Sequence, residues 1–367
     1  MSNKLPPLII GDLKINTPII QGGMGVKVST SALASAVANC GGAGTIASAG
    51  LAYGMDETTK AYIELSNKAL QKEIRQAKKL TKGIVGINIM MALSNYEDLA
   101  RTAAKEKVDF IVSGAGLPLS LPEFTKGTSV KLIPIVSSAR SAEIILKTWK
   151  RRYNRLPDAI VVEGPMAGGH LGFKAESLKQ HKAETLEKST VDVLNLLDEY
   201  KNEQDADIPV IAAGGIFDGK DVARLFKLGA KGVQMGTRFV ATFECSVSDK
   251  FKELYIAAKE EDIIIIKSPV GMPGRAIKTE FINRIRNDKK IPFKCSYRCL
   301  RSCDAKAAPY CIAKALCNAT IGDIENAVVF AGSNVVRVKE IISVKKLMDD
   351  IVNETVEELS KRDGNIS

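Results

Sequence analysis

The sequence predicts an α/β fold: a closed (β/α)8 barrel of the TIM type with a smaller, mainly helical second domain. Eight short β-branched runs, which give way to Gly, Ser or Asn, occupy residues 18–21, 43–46, 84–89, 110–112, 131–136, 159–162, 210–212 and 232–235. Stretches of helical periodicity fall between them, at 30–39, 57–79, 96–106, 139–152, 190–200 and 219–228. Eight such units also suit the length of a closed barrel, about 250 residues, better than an open doubly wound sheet, which carries fewer strands.

Taken in order, the runs are almost continuously apolar, as expected of parallel strands buried on both faces. The first exits into Gly22-Gly23-Met24-Gly25, whose glycine spacing is not that of a dinucleotide-binding turn. Past Cys245 the pattern changes to a helix-like stretch at 246–261, the run Ile263–Ile266, a Pro/Gly loop at 268–275 and a basic stretch at 284–294. Helical segments are expected at 309–318 and 339–359, the last packing back on the barrel, before a polar, frayed tail at 361–367. The expected domains are a barrel at 1–244, a smaller helical, cysteine-bearing domain at 245–324, and a returning segment at 325–367.

Composition narrows the function classes. The chain has 367 residues, 52 Lys and Arg against 42 Asp and Glu, a net charge of +10, and 45% hydrophobic residues. No apolar stretch approaches the roughly 18 residues of a bilayer span. The start, Met1 to Pro7, lacks a charged segment followed by a long apolar one, so no secretory signal is expected and a cytoplasmic location is. The basic knots Lys78-Lys79, Lys150-Arg151-Arg152 and Lys289-Lys290 read as solvated faces. With 5% aromatic residues there is little to stack on single-stranded nucleic acid, and an anionic small molecule accounts for the sign of the charge.

Barrels of this type carry their sites at the carboxyl ends of the strands. Those ends are rich in glycine: Gln21-Gly22-Gly23-Met24-Gly25 after the first run, Ser113-Gly114-Ala115-Gly116 after the fourth, Glu163 to His170 after the sixth, Ala213-Gly214-Gly215 after the seventh and Gly236-Thr237-Arg238 after the eighth. Backbone can come close to a ligand there. The exits of strands seven and eight are where barrels hold a phosphate, so a phosphorylated cofactor is expected. His170, one of two histidines, stands after Gly168-Gly169 at a strand exit and is expected to transfer a proton or contact substrate. His181 sits among polar residues and reads as solvated. Nucleophile-elbow, Walker and zinc-protease motifs are absent from the sequence.

Five of the seven cysteines, Cys295, Cys299, Cys303, Cys311 and Cys317, are separated by 4, 4, 8 and 6 positions. A helix would bring the first three to one side, where thiolates hold a metal or an iron–sulfur cluster. No Cys-x-x-Cys pair is present, so reduced structural thiols are the first reading and no metal site is assigned; a metal or cluster comes second and redox pairing third.

The motifs Pro18-Ile19-Ile20-Gln21-Gly22-Gly23-Met24-Gly25, Gly86-Ile87-Asn88-Ile89-Met90, Glu163-Gly164-Pro165-Met166-Ala167-Gly168-Gly169-His170-Leu171-Gly172, Ile208 to Ile216 and Gln234-Met235-Gly236-Thr237-Arg238-Phe239 resemble the nitronate monooxygenases, once called 2-nitropropane dioxygenases. The same motifs resemble the related FMN-dependent enoyl-acyl-carrier-protein reductases. Val270-Gly271-Met272-Pro273-Gly274-Arg275 and Ala331-Gly332-Ser333-Asn334 add to the likeness. The resemblance implies an FMN-bound barrel that oxidises alkyl nitronates with oxygen. It implies Gly22, Gly23 and Met24 along the flavin ring, Asn88, Glu163 and Gly168 touching the flavin, and Gly215 with Gln234, Met235, Gly236 and Thr237 at its phosphate. By the same likeness His170 is catalytic, and Arg275 and Ser333 are substrate contacts. Glu163-Gly164-Pro165 and the Gly-Met-Pro-Gly-Arg run favour the nitronate branch. The alternative is an NAD(P)H-dependent reductase with a basic mouth at Arg238, Arg275 and Lys278; a redox-responsive flavin and cysteine binding protein is a third reading. The expected partner is a small molecule, with neither nucleic acid nor membrane; the number of subunits is left open.

Overall fold

Eight parallel strands close on themselves in the computed structural model, which describes residues 5–55, 59–204, 207–286 and 290–361. The expected start through Lys4, the first residues of the 57–79 stretch, Lys289 and the tail beyond Lys361 lie outside the described residues. We number the barrel strands β1 (Ile19–Gln21), β2 (Ala43–Ala47), β3 (Ile84–Met90), β4 (Phe110–Gly114), β5 (Lys131–Val136), β6 (Ile160–Glu163), β7 (Val210–Ala213) and β8 (Gly232–Met235). All eight coincide with the runs read from sequence. Closure runs from β8 to β1, with Val233 opposite Ile19, and neighbours pair in parallel throughout, as in β6 and β7 with Ile160 opposite Val210. Strands β2 and β4 are buried at every residue, which is why their sequences carry no polar alternation.

Two apolar layers hold this arrangement. Inside, Ile20, Phe110, Ile133, Val161 and Ile211 pack with Leu8, Ile10 and Ile15 from an antiparallel hairpin, Leu8–Ile10 with Leu13–Ile15, that plugs the barrel floor. Outside, Leu33, Val37, Leu70, Ile74, Leu99, Ile145 and Trp149 from the surrounding helices meet the outward faces of the strands. Each such side chain, once buried, contributes roughly 1.5–3 kcal/mol.

The eighth helix arrives late in the chain. After β8 comes the short helix Thr237–Val240, and the chain then leaves the barrel at Thr242 and returns at Ile342, the two joined by a parallel bridge. Helix Val344–Ser360 then packs against Ser31–Asn39 and Gly219–Lys227, returning to the barrel as its apolar stripe of Leu347, Met348 and Ile351 demands. Gly219 permits the close crossing: a Cβ there would lie 2.4 Å from both Glu354 Cβ and Thr355 N.

The excursion contains helices Asp249–Ala257, Glu280–Arg286 and Ile312–Ile321, and also an antiparallel sheet of Ile263–Lys267, Pro273–Ile277 and Val329–Phe330. A fourth strand, Gly169–His170, comes from the barrel loop after β6. Residues 290–311 form neither helix nor strand, only the bridge from Leu300 to Leu93. The helical arrangement of Cys295, Cys299 and Cys303 is therefore not formed. Pro292 and Pro309 bound the stretch, and Arg298 sits at φ 44°, in the left-handed region that ends a right-handed helix. Among the described residues no helix is long and apolar enough to cross a membrane.

Candidate active site

The strand exits surround one cavity of about 250 Å³. Its walls include Gly22, Gly23, Met24, Asn88, Glu163, Gly168, His170, Gly215, Gln234, Met235, Gly236 and Thr237, so residues read from five separate motifs meet in one place. Arg275 and Ser333 stand behind the wall. Most of the lining is apolar, with a few convergent polar groups, the usual make-up of a small-molecule site.

The loop after β1 is held from below. Buried Gln21 gives its Nε2–H to Ser29 Oγ at 2.7 Å and accepts Thr45 N–H at 3.1 Å, while Ser29 Oγ accepts the Met24 N–H at 2.9 Å. This network fixes Gly22 to Met24 as part of the wall. A Cβ on Gly23 would fall 2.2 Å from Asn88 Cβ, so only glycine lets the two exits approach this closely. Gln234 Oε1 is buried without a hydrogen-bond partner in the cavity wall, an acceptor whose desolvation costs about 1–3 kcal/mol unless a ligand donor meets it.

His170 is placed by the sheet. Its two-residue strand pairs with Pro273–Ile277, with His170 opposite Gly274, and Leu171 N–H donates to Pro273 O at 2.9 Å. The imidazole Nε2 lies 2.8 Å from Ser268 Oγ, and the ring meets Phe330 edge-on with centroids 5.0 Å apart. Protein encloses the ring except toward the cavity, and this burial pulls its pKa down to about 4. Burial acts oppositely on Glu163 at the end of β6, whose carboxyl is pushed up to about 7. Burial thus favours the uncharged form of both the imidazole and the carboxyl.

The excursion braces the same wall. Arg275, 7% exposed, donates from Nη1 to Pro165 O and Ala167 O, both at 2.6 Å. Ser333 donates from Oγ to Met166 O at 3.2 Å, Gly332 N–H donates to Thr237 Oγ1 at 2.9 Å, and Asn334 Nδ2–H donates to Gly215 O at 2.6 Å. Arg238 stacks on Phe217 with its guanidinium carbon 4.2 Å from the ring centroid, and Arg337 stacks on the same ring at the same distance. Lys278 N–H donates to Asp262 O at 2.7 Å. Sequence reasoning missed Ser268, Phe330 and the bracing role of Asn334. No spacing signal marks them, because they come from the excursion, up to 160 positions from the barrel exits they serve.

The cysteine stretch lies apart from this cavity but close to its rim. Arg301 N–H donates to Ala92 O at 2.9 Å and Ser94 N–H donates to Cys299 O at 3.1 Å, so the stretch is pinned to the loop after β3. Tyr297 packs between the rings of Tyr53 and Tyr62, at 5.0 and 4.9 Å. All the cysteines are free thiols. Burial pushes Cys299 up to about 12, and its neighbours Cys311, Cys295 and Cys303 act in the same direction.

The nitronate monooxygenase family model matches residues 7–354. A (3aS,4S,5R,7aS)-5-hydroxy-7a-methyl-1-oxo-octahydro-1H-indene-4-carboxyl-CoA dehydrogenase from Rhodococcus jostii is 31% identical over 74% of this chain and 66% of its own, so the chain spans just under two thirds of that relative. A probable nitronate monooxygenase from Staphylococcus saprophyticus is 27% identical over 79% of this chain and 83% of its own. Among solved structures, FabK from Thermotoga maritima superposes with a TM-score of 0.75 at 30% identity, covering 96% of each chain. The family match takes in the barrel, the excursion and most of the returning helix: the chain belongs to the nitronate monooxygenase family of flavin-dependent oxidoreductases.

Proposed function

We propose that this enzyme holds FMN across the barrel mouth and oxidises alkyl nitronates with molecular oxygen, with His170 as the substrate-binding and proton-transferring group. One observation carries the reading: a glycine-lined wall and a lone imidazole face the same cavity. The residues present suit a flavin. Gly22, Gly23 and Met24 offer a surface free of bulky branches, the unpartnered Gln234 Oε1 awaits a ring N–H, and Asn88, Glu163 and Gly168 complete the contacts. Gly215, Met235, Gly236 and Thr237 form the end suited to a phosphate, where successive backbone N–H groups favour an anion. Bound there, the flavin supplies the electron transfer to oxygen, and the protein supplies position and electrostatics.

His170 handles the proton. With Nε2–H donated to Ser268 Oγ, Nδ1 keeps a lone pair that takes the α-proton of a neutral nitroalkane. A nitronate already formed needs no such step, and its negative charge beside the ring raises the imidazole's pKa from its low resting value. Arg275 and Ser333 serve the reaction from behind by holding the 165–167 turn that carries His170 toward the cavity.

The test is anaerobic mixing of the FMN-loaded protein with a nitronate and, separately, with NADPH, followed by the flavin absorbance and then by oxygen uptake. Bleaching by the nitronate and oxygen consumption without nicotinamide support the reading; no uptake with any nitronate refutes it. The relative named for a carboxyl-CoA compound favours a second reading, reduction of 2-enoyl thioesters by NAD(P)H. Its signature is NAD(P)H oxidation that depends on a crotonyl thioester.

A further inference from the structure

We propose that Cys295, Cys299, Cys303 and Cys311 form a binding site for an iron–sulfur cluster at the rim of the barrel. The four thiols line one cavity of about 820 Å³, far larger than the roughly 30 Å³ share of a water molecule, and they reach it without a helix. The irregular course of the chain, with the left-handed turn at Arg298 between the first two thiols, disposes them around a space and not along a line.

Three features favour a cluster over a single ion. Among the described residues no group of three or more His, Cys, Asp or Glu forms a site for a single metal ion. A multi-iron cluster spreads its four thiolates further apart. The walls add Lys290, Arg298, Arg301 and Lys306 against the single acid Asp304, a positive surround for a core made anionic by four thiolate ligands. The stretch is also anchored: Leu300 bridges Leu93, and Arg301 N–H holds Ala92 O at 2.9 Å, two residues beyond Met90 of the catalytic cavity. Two peptide units span at most about 7.6 Å, so the cluster site and the candidate flavin site share one loop.

Loading is ligand exchange without change of oxidation state. Each Cys Sγ–H bond breaks as an Sγ–Fe bond forms, and the proton leaves on the small thiolate that iron releases. The proposal stands independently of the substrate assignment, since it concerns thiols outside the catalytic cavity.

The experiment is anaerobic incubation of the full chain with a synthetic cubane [4Fe–4S] cluster carrying small thiolate ligands, followed by gel filtration. Iron and acid-labile sulfide are measured, with spectra before and after dithionite. Wild type and Cys317→Ser, whose thiol lies outside the cavity, are expected to retain about four irons per chain, and the double variant Cys295→Ala/Cys299→Ala at least ~10-fold less. Far-UV circular dichroism of the double variant checks that it is folded, and the wild-type iron and sulfide content is decisive by itself. Wild type that retains no iron and sulfide, or that takes one zinc in their place, overturns the proposal.

Discussion

His170 and Glu163 face the same cavity with opposite responses to burial, and their pH behaviour separates them. Glu163 is raised from 4.5 to about 7, so the folded chain binds more protons than the unfolded one across that window, and its contribution to stability is lost as pH rises through it. His170 is lowered from 6.5 to about 4, so the unfolded chain binds more protons there, and stability is lost as pH falls through that window. In flavin-free protein, Glu163→Gln is therefore expected to gain melting temperature relative to wild type between about pH 5 and pH 8, read by calorimetry. A gap that stays constant with pH removes Glu163 from the list of perturbed groups. His170→Ala is expected to keep FMN while kcat/KM for a neutral nitroalkane falls by roughly 10²–10⁴, with a smaller loss for preformed nitronate. Equal losses on the two substrates would assign His170 to binding alone.

At the scale of elements, the 165–167 turn depends on a guanidinium from the excursion. Arg275→Met leaves two carbonyls without their charged donor, and hydrogen bonds to charged groups contribute about 1.5–3 kcal/mol each. A clear fall in melting temperature, together with faster loss of flavin on dilution, is expected; an unchanged turn would leave both as in wild type. Gly23→Ala forces the β1 and β3 exits apart, because its Cβ would overlap Asn88. Overpacking of this kind costs ~1–3 kcal/mol, so flavin affinity measured by fluorescence titration should fall roughly 5- to 150-fold.

The eight strands were legible because strands buried on both faces must be written in Val, Ile and Ala, and the glycines at their exits line the cavity. The excursion was less legible for a physical reason. Pro273–Ile277 and Val329–Phe330 are too short for a repeating pattern, and Gly169–His170, which pairs with the first of them, is over a hundred positions away from it. The side chains that brace the site, Ser268, Arg275 and Asn334, are recruited by this pairing and not by any local periodicity.

Over the whole molecule, the barrel is completed by a helix that the chain supplies only after its long detour. Gly219→Ala tests that closure: its Cβ would strike Glu354 and Thr355, and the resulting separation of helices Gly219–Lys227 and Val344–Ser360 should lower the melting temperature cooperatively. Thermal unfolding followed at Trp149, in helix Ala139–Tyr153 and outside this contact, is expected to shift together with the far-UV signal; separate transitions would mean that the helix docks on an already stable barrel.

The imidazole belongs to two bodies of chain at once, since its strand is donated by the barrel and paired by the excursion. Replacing the turn between Lys267 and Pro273, which carries Ser268, with one of another length would swing the imidazole sideways over the glycine wall; on the function proposed above, the expected outcome is a changed choice of substrate with the flavin still bound.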